Sequence, residues 1–215
     1  MLTSRRLIAV LPIASAVWLA GSSVIAGAMR PGYDHMSQFL SELGASGTPG
    51  GAAMNYLGFI PTELFLLAFV VLALRVLRPG PLALIGLALM ALNVLSLFAA
   101  ALAPCDAGCR PATPSLSHTI HIATGSIAYL SAVIGIAVLA IATGRRGAPR
   151  LMVAGLACAV AGTALIAVLD ADSGVVGLVQ RSLEAVIYAW YILFGLWLAK
   201  SAPPTPALSG DTPTS

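Results

Sequence analysis

The sequence predicts an all-α membrane protein, a polytopic bundle of six transmembrane helices with both termini in the cytoplasm. The first observation is composition: of the 215 residues, 59% are hydrophobic and only 9% are charged, and the mean hydropathy is +0.95. The second is that the apolar residues form six runs, each close to the roughly 20 residues that cross a hydrocarbon layer. Backbone in lipid must satisfy its own hydrogen bonds, and the runs lack strand-like alternation, so each is predicted to be a helix.

The predicted spans follow one another with short connections. They cover Leu7–Ala28, Ala52–Leu77, Pro81–Ala103, His118–Ala142, Leu151–Leu169 and Val179–Ala199. The first span follows Arg5 and Arg6 as the apolar core of a signal peptide would, but it exceeds the usual core of about 7–15 residues, so we expect a retained helix. Residues 1–200 are predicted to form one transmembrane domain, and the Pro-, Ser- and Thr-rich residues 201–215 are predicted to form a disordered cytoplasmic tail.

The third observation is the uneven distribution of the eleven Lys and Arg residues. With the N-terminus in the cytoplasm, only Arg30, Arg110 and Arg181 fall on the outer side. The inner segments hold Arg5, Arg6, Arg75, Arg78, Arg145, Arg146, Arg150 and Lys200. An excess of basic residues marks the cytoplasmic side. We therefore expect a multi-pass protein of the cell membrane, the inner membrane in bacteria, and no nucleic-acid binding, because the net charge of +3 reflects this asymmetry.

Under this topology the polar residues gather in the three outer loops, of which the first, residues 32–51, reads "GYDHMSQFLSELGASGTPGG". The ionisable residues in these loops or the adjoining helix turns include Asp34, His35, Glu42, Asp106, His118, His121, Asp170, Asp172, Arg181 and Glu184. Ordinary solvation of loop residues would explain some of them. The extension of the set into helices favours a polar site at the extracytoplasmic face.

The sixth span carries a polar stripe. Arg181, Glu184, Tyr188 and Tyr191 are spaced so that they lie on one helix face, and a stripe of this kind is predicted to face the bundle interior because exposure of charge to lipid is costly. Glu63 lies about 17 Å into the second span at 1.5 Å per residue. It is predicted to face inward as well, either as an interhelical hydrogen-bond partner of Asn93 in the third span or as part of a proton relay.

Histidines and cysteines suggest two further features. His118 and His121 share one helix face, and His35 could join them in an alternative metal site together with a carboxylate. Cys105 and Cys109 lie in one outer loop and are predicted to form a disulfide in an oxidising exterior. Cys158 is expected to be a buried apolar residue.

Several short motifs resemble the DUF998 family of bacterial and archaeal six-helix membrane proteins of unassigned function. They are "SELGA" at 41–45, Asn55, Gly58, "PCD" at 104–106, His121 and "GLVQR" at 177–181. "SELG" is also distantly similar to a signature of the Frag1/DRAM/Sfk1 proteins, which implies a lipid-associated role. The family resemblance implies a Glu before Arg181, where this chain has Gln180.

The resemblance singles out a shared polar set, to which the stripe on the sixth span adds one residue. The predicted ligand-binding residues are Ser41, Glu42, Asp106, His121, Arg181 and Glu184. We expect the first loop to fold over the outer mouth of the bundle and to bring Glu42 and His121 to Arg181. Such a site would bind a lipid headgroup or a small anionic ligand, with guanidinium as the anion-binding group.

Other functions stay open at this point. Ser, His and carboxylate groups could serve an intramembrane hydrolase or transferase acting on lipid, possibly with a metal, although no familiar nucleophile motif occurs. Glu63 could serve a transporter, although inverted repeats and broken helices are not evident. A structural role with an envelope protein partner or in a homo-oligomer is the fourth alternative. The sequence identifies no cofactor, because it contains no P-loop, dinucleotide or haem-attachment motif.

Overall fold

The computed structural model describes residues 4–201 and contains six long helices. These are α1 (Ser4–Ala28), α2 (Gly51–Leu77), α3 (Pro81–Leu102), α4 (Leu116–Gly144), α5 (Pro149–Ala167) and α6 (Val176–Ser201). Each is long and apolar enough to cross a membrane, and the described part of the chain contains no strand. The all-α class and the six spans are therefore confirmed. Of the predicted tail, Ser201 ends α6, and 202–215 lie outside the described residues.

The helix ends follow local sequence signals. Pro81 and Pro149 occupy the first helical positions of α3 and α5, where the missing N–H has no intrahelical partner to lose. The hydroxyl of Ser115 caps α4 by accepting from the backbone N–H of His118 at 3.1 Å. This cap begins α4 at Leu116, two residues before the predicted start of the span.

The helices pack as a ring of antiparallel neighbours in which each helix contacts the next and α6 returns to α1. Helix α1 packs against α2 and α6, α3 against α4, and α5 between α4 and α6. Close approach depends on glycine: a Cβ added at Gly155 of α5 would lie 2.6 Å from that of Ala140 and overlap the Trp190 ring. Trp190 and Phe194 stack at 5.6 Å, and Phe69 meets Phe194 edge-on at 6.2 Å. We call Phe69, Trp190 and Phe194 the aromatic layer; all three are fully buried.

Helix α2 contains a π-helical turn over Met54–Phe59. The extra residue in such a turn shifts side chains around the helix and leaves backbone groups for other partners. The indole N–H of Trp18 donates to the carbonyl of Leu57 at 2.8 Å. Glu63 lies one turn beyond the π segment, so the position of its carboxyl depends on this irregularity.

One end of the bundle carries the connections 29–50, 103–115 and 168–175, and we call it the lid end. Its main feature is the lid, residues 33–46, which contains a 3₁₀ turn over Leu40–Gly44. The opposite end carries the basic connections 78–80 and 145–148. That the lid end faces outward stays a prediction from the distribution of basic residues.

Candidate functional site

The lid is bound to the first turns of α6 through its main chain. Nη1 of Arg181 donates to the carbonyl oxygens of His35 at 2.8 Å and Gln38 at 3.1 Å, and Nη2 donates to the hydroxyl of Tyr33. The backbone N–H of Leu178 donates to the carbonyl of Met36 at 2.9 Å. Arg181 thus satisfies lid carbonyls that would otherwise lack partners at the helix surface.

Gly177 allows this close approach. A Cβ at this position would lie 2.5 Å from the carbonyl oxygen of His35 and closer still to that of Gln38. No side chain larger than hydrogen fits there without moving the lid. The "GLVQR" segment therefore acts as a docking site in which Gly177 provides room and Arg181 provides donors.

The charges around the lid affect its own titratable groups. Burial raises the pKa of Tyr33, although the adjacent Arg181 guanidinium acts in the opposite direction. Burial also lowers the pKa of His35, and the positive charge of Arg181 adds to this effect. Both shifts favour neutral forms of the lid side chains beside Arg181.

Glu42 is held inside the lid and does not pair with Arg181. Only 2% of its surface is exposed; Oε1 accepts from the N–H of Phe39 at 3.0 Å and Oε2 from Nε2 of Gln38 at 2.9 Å. Gln38 joins Glu42 to Arg181 through its side chain and its carbonyl, and Phe39 with Tyr33 forms a second indirect link. Among the described residues no direct hydrogen bond joins Glu42 to Arg181, because nearby amides satisfy the carboxyl of Glu42 and lid carbonyls satisfy the guanidinium. That Glu42, His121 and Arg181 approach one another within the range of one bridging water stays a prediction.

Asp106 also has a local role. Its carboxylate accepts from the hydroxyl of Ser115 at 2.7 Å and from the backbone N–H of Ser115 at 2.8 Å. These hydrogen bonds lower the pKa of Asp106. The residue closes the loop before α4 and lines neither of the cavities described below.

The predicted disulfide between Cys105 and Cys109 is confirmed. The loop that it closes contacts the lid: the N–H of Ser46 donates to the carbonyl of Cys105 at 2.8 Å, and the hydroxyl of Ser41 lies 3.7 Å from Sγ of Cys109. Cys158 is a free cysteine of intermediate exposure. The disulfide loop is therefore a second support of the lid, in addition to α6.

The three histidines make separate contacts. His35 packs edge-on against Tyr33 at 5.0 Å, and Nδ1 of His118 accepts from the N–H of Asp106 at 3.3 Å. Within residues 4–201, no group of three or more His, Cys, Asp or Glu side chains is placed to hold a metal ion. The alternative metal site at His35, His118 and His121 is not supported, because the loops do not bring the imidazoles together.

Beneath the lid lies a cavity of about 80 Å³, which we call the polar cavity. Its polar lining consists of Ser41, Asn55, Glu63, His121, Tyr129, Gln180 and Glu184. Half of the six predicted ligand-binding residues line it, namely Ser41, His121 and Glu184; the others, Glu42, Asp106 and Arg181, do not. Sequence reasoning missed Asn55, Tyr129 and Gln180 as members of the site.

Glu63 is the most exceptional group in this cavity. It is 5% exposed, and within the described part of the chain its Oε2 is buried without a hydrogen-bond partner. The expected pairing with Asn93 is wrong: Asn93 donates to the carbonyl of Ala128 at 3.1 Å and accepts from the hydroxyl of Tyr191 at 3.0 Å. A buried carboxyl oxygen without a partner is costly and marks the polar cavity as incomplete.

A hydrogen-bond chain links the lid to the second carboxyl of the cavity. The N–H of Leu40 donates to Oε1 of Gln180 at 2.7 Å, and Nε2 of Gln180 donates to the hydroxyl of Tyr129 at 3.1 Å. Tyr129 in turn donates to Oε1 of Glu184 at 2.8 Å. The amide of Gln180 both accepts and donates, which an ionised Glu at this position could not do. Both Gln180 and Glu184 are buried.

His121 is fixed in one tautomer. Its Nδ1 lies 3.0 Å from the carbonyl oxygen of Ala100 and 3.1 Å from that of Ala103. Both partners are acceptors, so Nδ1 carries the hydrogen and Nε2 is the acceptor of the neutral ring. The two carbonyls belong to the end of α3, which holds the imidazole at the cavity wall.

A second cavity of about 230 Å³ adjoins the first, and we call it the side groove. Both are lined by Ser41, His121, Gly125, Tyr129 and Gln180. The side groove adds residues on the flank of the bundle: Ile122 and Ser126 of α4, which are exposed, and Leu169 and Ala171 after α5. The side groove thus lies beside the polar cavity on the flank of the bundle, between α4 and the connection to α6.

Comparison with known proteins agrees with the resemblance drawn from the motifs. No curated protein and no solved structure matches the chain. The expected distant similarity to the Frag1/DRAM/Sfk1 proteins stays a prediction. The family model described as "Protein of unknown function (DUF998)" matches residues 12–197, which span all six helices. The chain is therefore a multi-pass membrane protein that belongs to the DUF998 family.

Proposed function

We propose that the protein binds the headgroup of a membrane lipid in the polar cavity. The observation that carries this proposal is that Glu63, a residue of the cavity lining, has a buried Oε2 with no hydrogen-bond partner among the described residues. A ligand that enters the cavity would supply the missing hydrogen bond. We further propose that the lid end faces outward and that the membrane is the bacterial inner membrane.

The side groove supports a lipid over a ligand from the aqueous phase. It meets the flank of the bundle at Ile122 and Ser126, at the level of the second and third turns of α4. The lid covers the cavity from above through Leu40 and Ser41, both of which line it. A molecule held in the membrane can therefore place its headgroup under the lid while its chains remain beside α4.

The buried residues beyond the cavity favour binding over transport. The aromatic layer fills the core of the bundle beside Tyr191, with the Phe69 and Tyr191 rings 5.8 Å apart. All of its members are fully buried and belong to the main hydrophobic cluster of the bundle. A polar path that continues from the polar cavity to the basic end would have to pass through this packed layer.

The hydrolase or transferase alternative has less support. The imidazole of His121 is oriented by two carbonyls at Nδ1 rather than by a carboxylate, and Ser41 is paired with a sulfur of the disulfide. A nucleophile and a base in hydrogen-bond contact, with a third group orienting the base, would be the expected arrangement. We therefore favour binding.

The test uses a photoreactive phospholipid and a variant that fills the cavity. Gly125 lines both the polar cavity and the side groove, and a Cβ there would meet no heavy atom within 4 Å. Gly125→Leu should therefore fold and occupy the space of the ligand. Gly21→Leu on α1 is the matched control, because Gly21 has equally open surroundings and lines neither cavity.

In nanodiscs that contain the photoreactive lipid, cross-links in the wild type and in Gly21→Leu should map by mass spectrometry to the lid and to the first turns of α4. Gly125→Leu should lose these cross-links and keep those of the general lipid belt. Cross-links at the lid and α4 that are the same in all three proteins would overturn the proposal.

A further inference from the structure

Resting on the proposed function, we infer that the polar cavity selects a primary ammonium group, as carried by an ethanolamine-type headgroup. Four properties of the cavity support this inference: the donors, the acceptors and the charges of its lining, and its size.

The donor groups of the lining already have acceptors within the protein. Tyr129 donates to Glu184, and Gln180 donates to Tyr129. Nδ2 of Asn55 donates to the carbonyl of Gly44 at 2.8 Å. The Nδ1 hydrogen of His121 is held between two carbonyls at the end of α3. The lining therefore offers few hydrogens to an anion.

The acceptors, in contrast, exceed the donors. Oε2 of Glu63 has no partner within residues 4–201. The donation from Asn55 leaves its Oδ1 as an acceptor, and the tautomer of His121 leaves Nε2 as one. Glu184 accepts from Tyr129 through Oε1 and retains a second oxygen. A primary ammonium carries three N–H donors and no acceptor, so it complements this set.

The charged side chains around the cavity also favour a cationic ligand. The lining of the polar cavity and of the side groove includes two carboxyls, Glu63 and Glu184, and neither Lys nor Arg. The nearest arginine on α6, Arg181, is bound to lid carbonyls. We therefore replace the expected anionic ligand held by Arg181 with a cationic ligand held by the carboxyls. A bound cation would favour the ionised form of these carboxyls and be attracted to it, whereas an anion in the same site of low dielectric would have no cationic partner.

The size of the cavity limits the cation. A volume of about 80 Å³ is several times the roughly 10–15 Å³ that one water molecule requires, so an aminoethyl group has room. N-methylation removes one N–H donor at each step and adds bulk. We therefore expect a primary ammonium to bind better than a quaternary one.

The experiment measures binding of a graded series of ligands to the full-length wild-type protein in detergent. The series is lysophosphatidylethanolamine, its N-methyl and N,N-dimethyl derivatives and lysophosphatidylcholine, all with one acyl chain. Affinity should fall along the series by at least about tenfold in total, the effect of one lost charge-assisted hydrogen bond. Equal affinities along the series would overturn the inference without any variant being needed.

Variants then assign the preference to the cavity. Glu63→Gln keeps the shape but replaces one acceptor oxygen by an amide N–H₂ group, so the preference for the ethanolamine form over the choline form should fall. Asp172→Asn is the control: Asp172 is an exposed acid of the lid end outside both cavities, and this variant should keep the preference. A preference of wild-type size in a folded Glu63→Gln protein would overturn the role of Glu63.

Two further results separate this inference from the proposed function. If all four lysolipids bind equally and Gly125→Leu abolishes their binding, the lipid site stands and the ammonium preference is wrong. If none binds and no lipid cross-links to the lid, both fail. Competition by free ethanolamine distinguishes the source of the ammonium: displacement indicates a soluble amine, and its absence indicates a lipid-borne one.

Discussion

Adding a single methyl group at Gly177 tests how the lid is held. In Gly177→Ala the new Cβ would lie 2.5 Å from the carbonyl oxygen of His35 and closer to that of Gln38, whereas carbon–oxygen contacts need about 3.3 Å. The lid must therefore retreat by about 1 Å. The Arg181–His35 and Arg181–Gln38 bonds, at 2.8 and 3.1 Å, would then exceed the range of a hydrogen bond.

The expected cost is the loss of two charge-assisted hydrogen bonds. At about 1.5 kcal/mol each, the free energy of lid opening should fall by about 3 kcal/mol, and amide exchange limited by that opening should accelerate about 100-fold. Hydrogen–deuterium exchange at Leu40, whose N–H donates to Gln180, measures this directly. Exchange in the buried part of α6 around Tyr191 should stay unchanged.

Gly174→Ala is the matched control, because a Cβ at Gly174 would meet no heavy atom within 4 Å. Protection at Leu40 should be unaffected in this variant. If Gly177→Ala leaves the lid protected, the close approach does not position the lid. If both variants accelerate exchange equally, the cause is the loss of a glycine near the start of α6 rather than the contact with the lid.

Three further predictions concern topology, redox state and pH. A cysteine at Thr48→Cys should react with an impermeant reagent in intact cells, and one at Ala148→Cys only after permeabilisation; the reverse pattern would contradict the assigned orientation. Alkylation of the denatured, unreduced protein should label Cys158 alone, because the other two cysteines are bonded to each other. Because the pKa of His35 is lowered in the folded lid, the open lid binds the proton more readily, so protection of the lid should fall as pH falls below about 6.5. His35→Gln should remove this dependence, and an unchanged dependence would show that another group is responsible.

The helices and the disulfide could be predicted because their signals are local. Apolar runs determine the six spans, and two cysteines four residues apart can meet within one loop. The inward face of α6 was also predictable from spacing, and Glu184, Tyr188 and Tyr191 are all buried.

The partners of the site residues could not be predicted in the same way. Sequence reasoning assigns Glu42 to Arg181 because opposite charges attract. It cannot place main-chain carbonyls, which are present at every residue and are the groups that Arg181 binds. Likewise, the similar depths of Glu63 and Asn93 in their helices suggest that the two side chains pair. In the structure, Asn93 instead accepts a hydrogen bond from the hydroxyl of Tyr191. The depth of a residue along a helix can be predicted from the sequence, but the direction of a side chain beyond a π turn cannot.

Because α6 holds the lid by the carbonyls of residues 35, 36 and 38, the docking site recognises the course of the backbone rather than the identity of the residues. Side chains at 35 and 36 can then change while the attachment persists, since every amino acid supplies the same carbonyl. The number of residues in this segment, in contrast, cannot change without loss of the attachment. Deleting one residue between Tyr33 and Leu40 would shift every carbonyl relative to Leu178 and Arg181, so the lid should tolerate substitutions at these positions far better than a single-residue deletion.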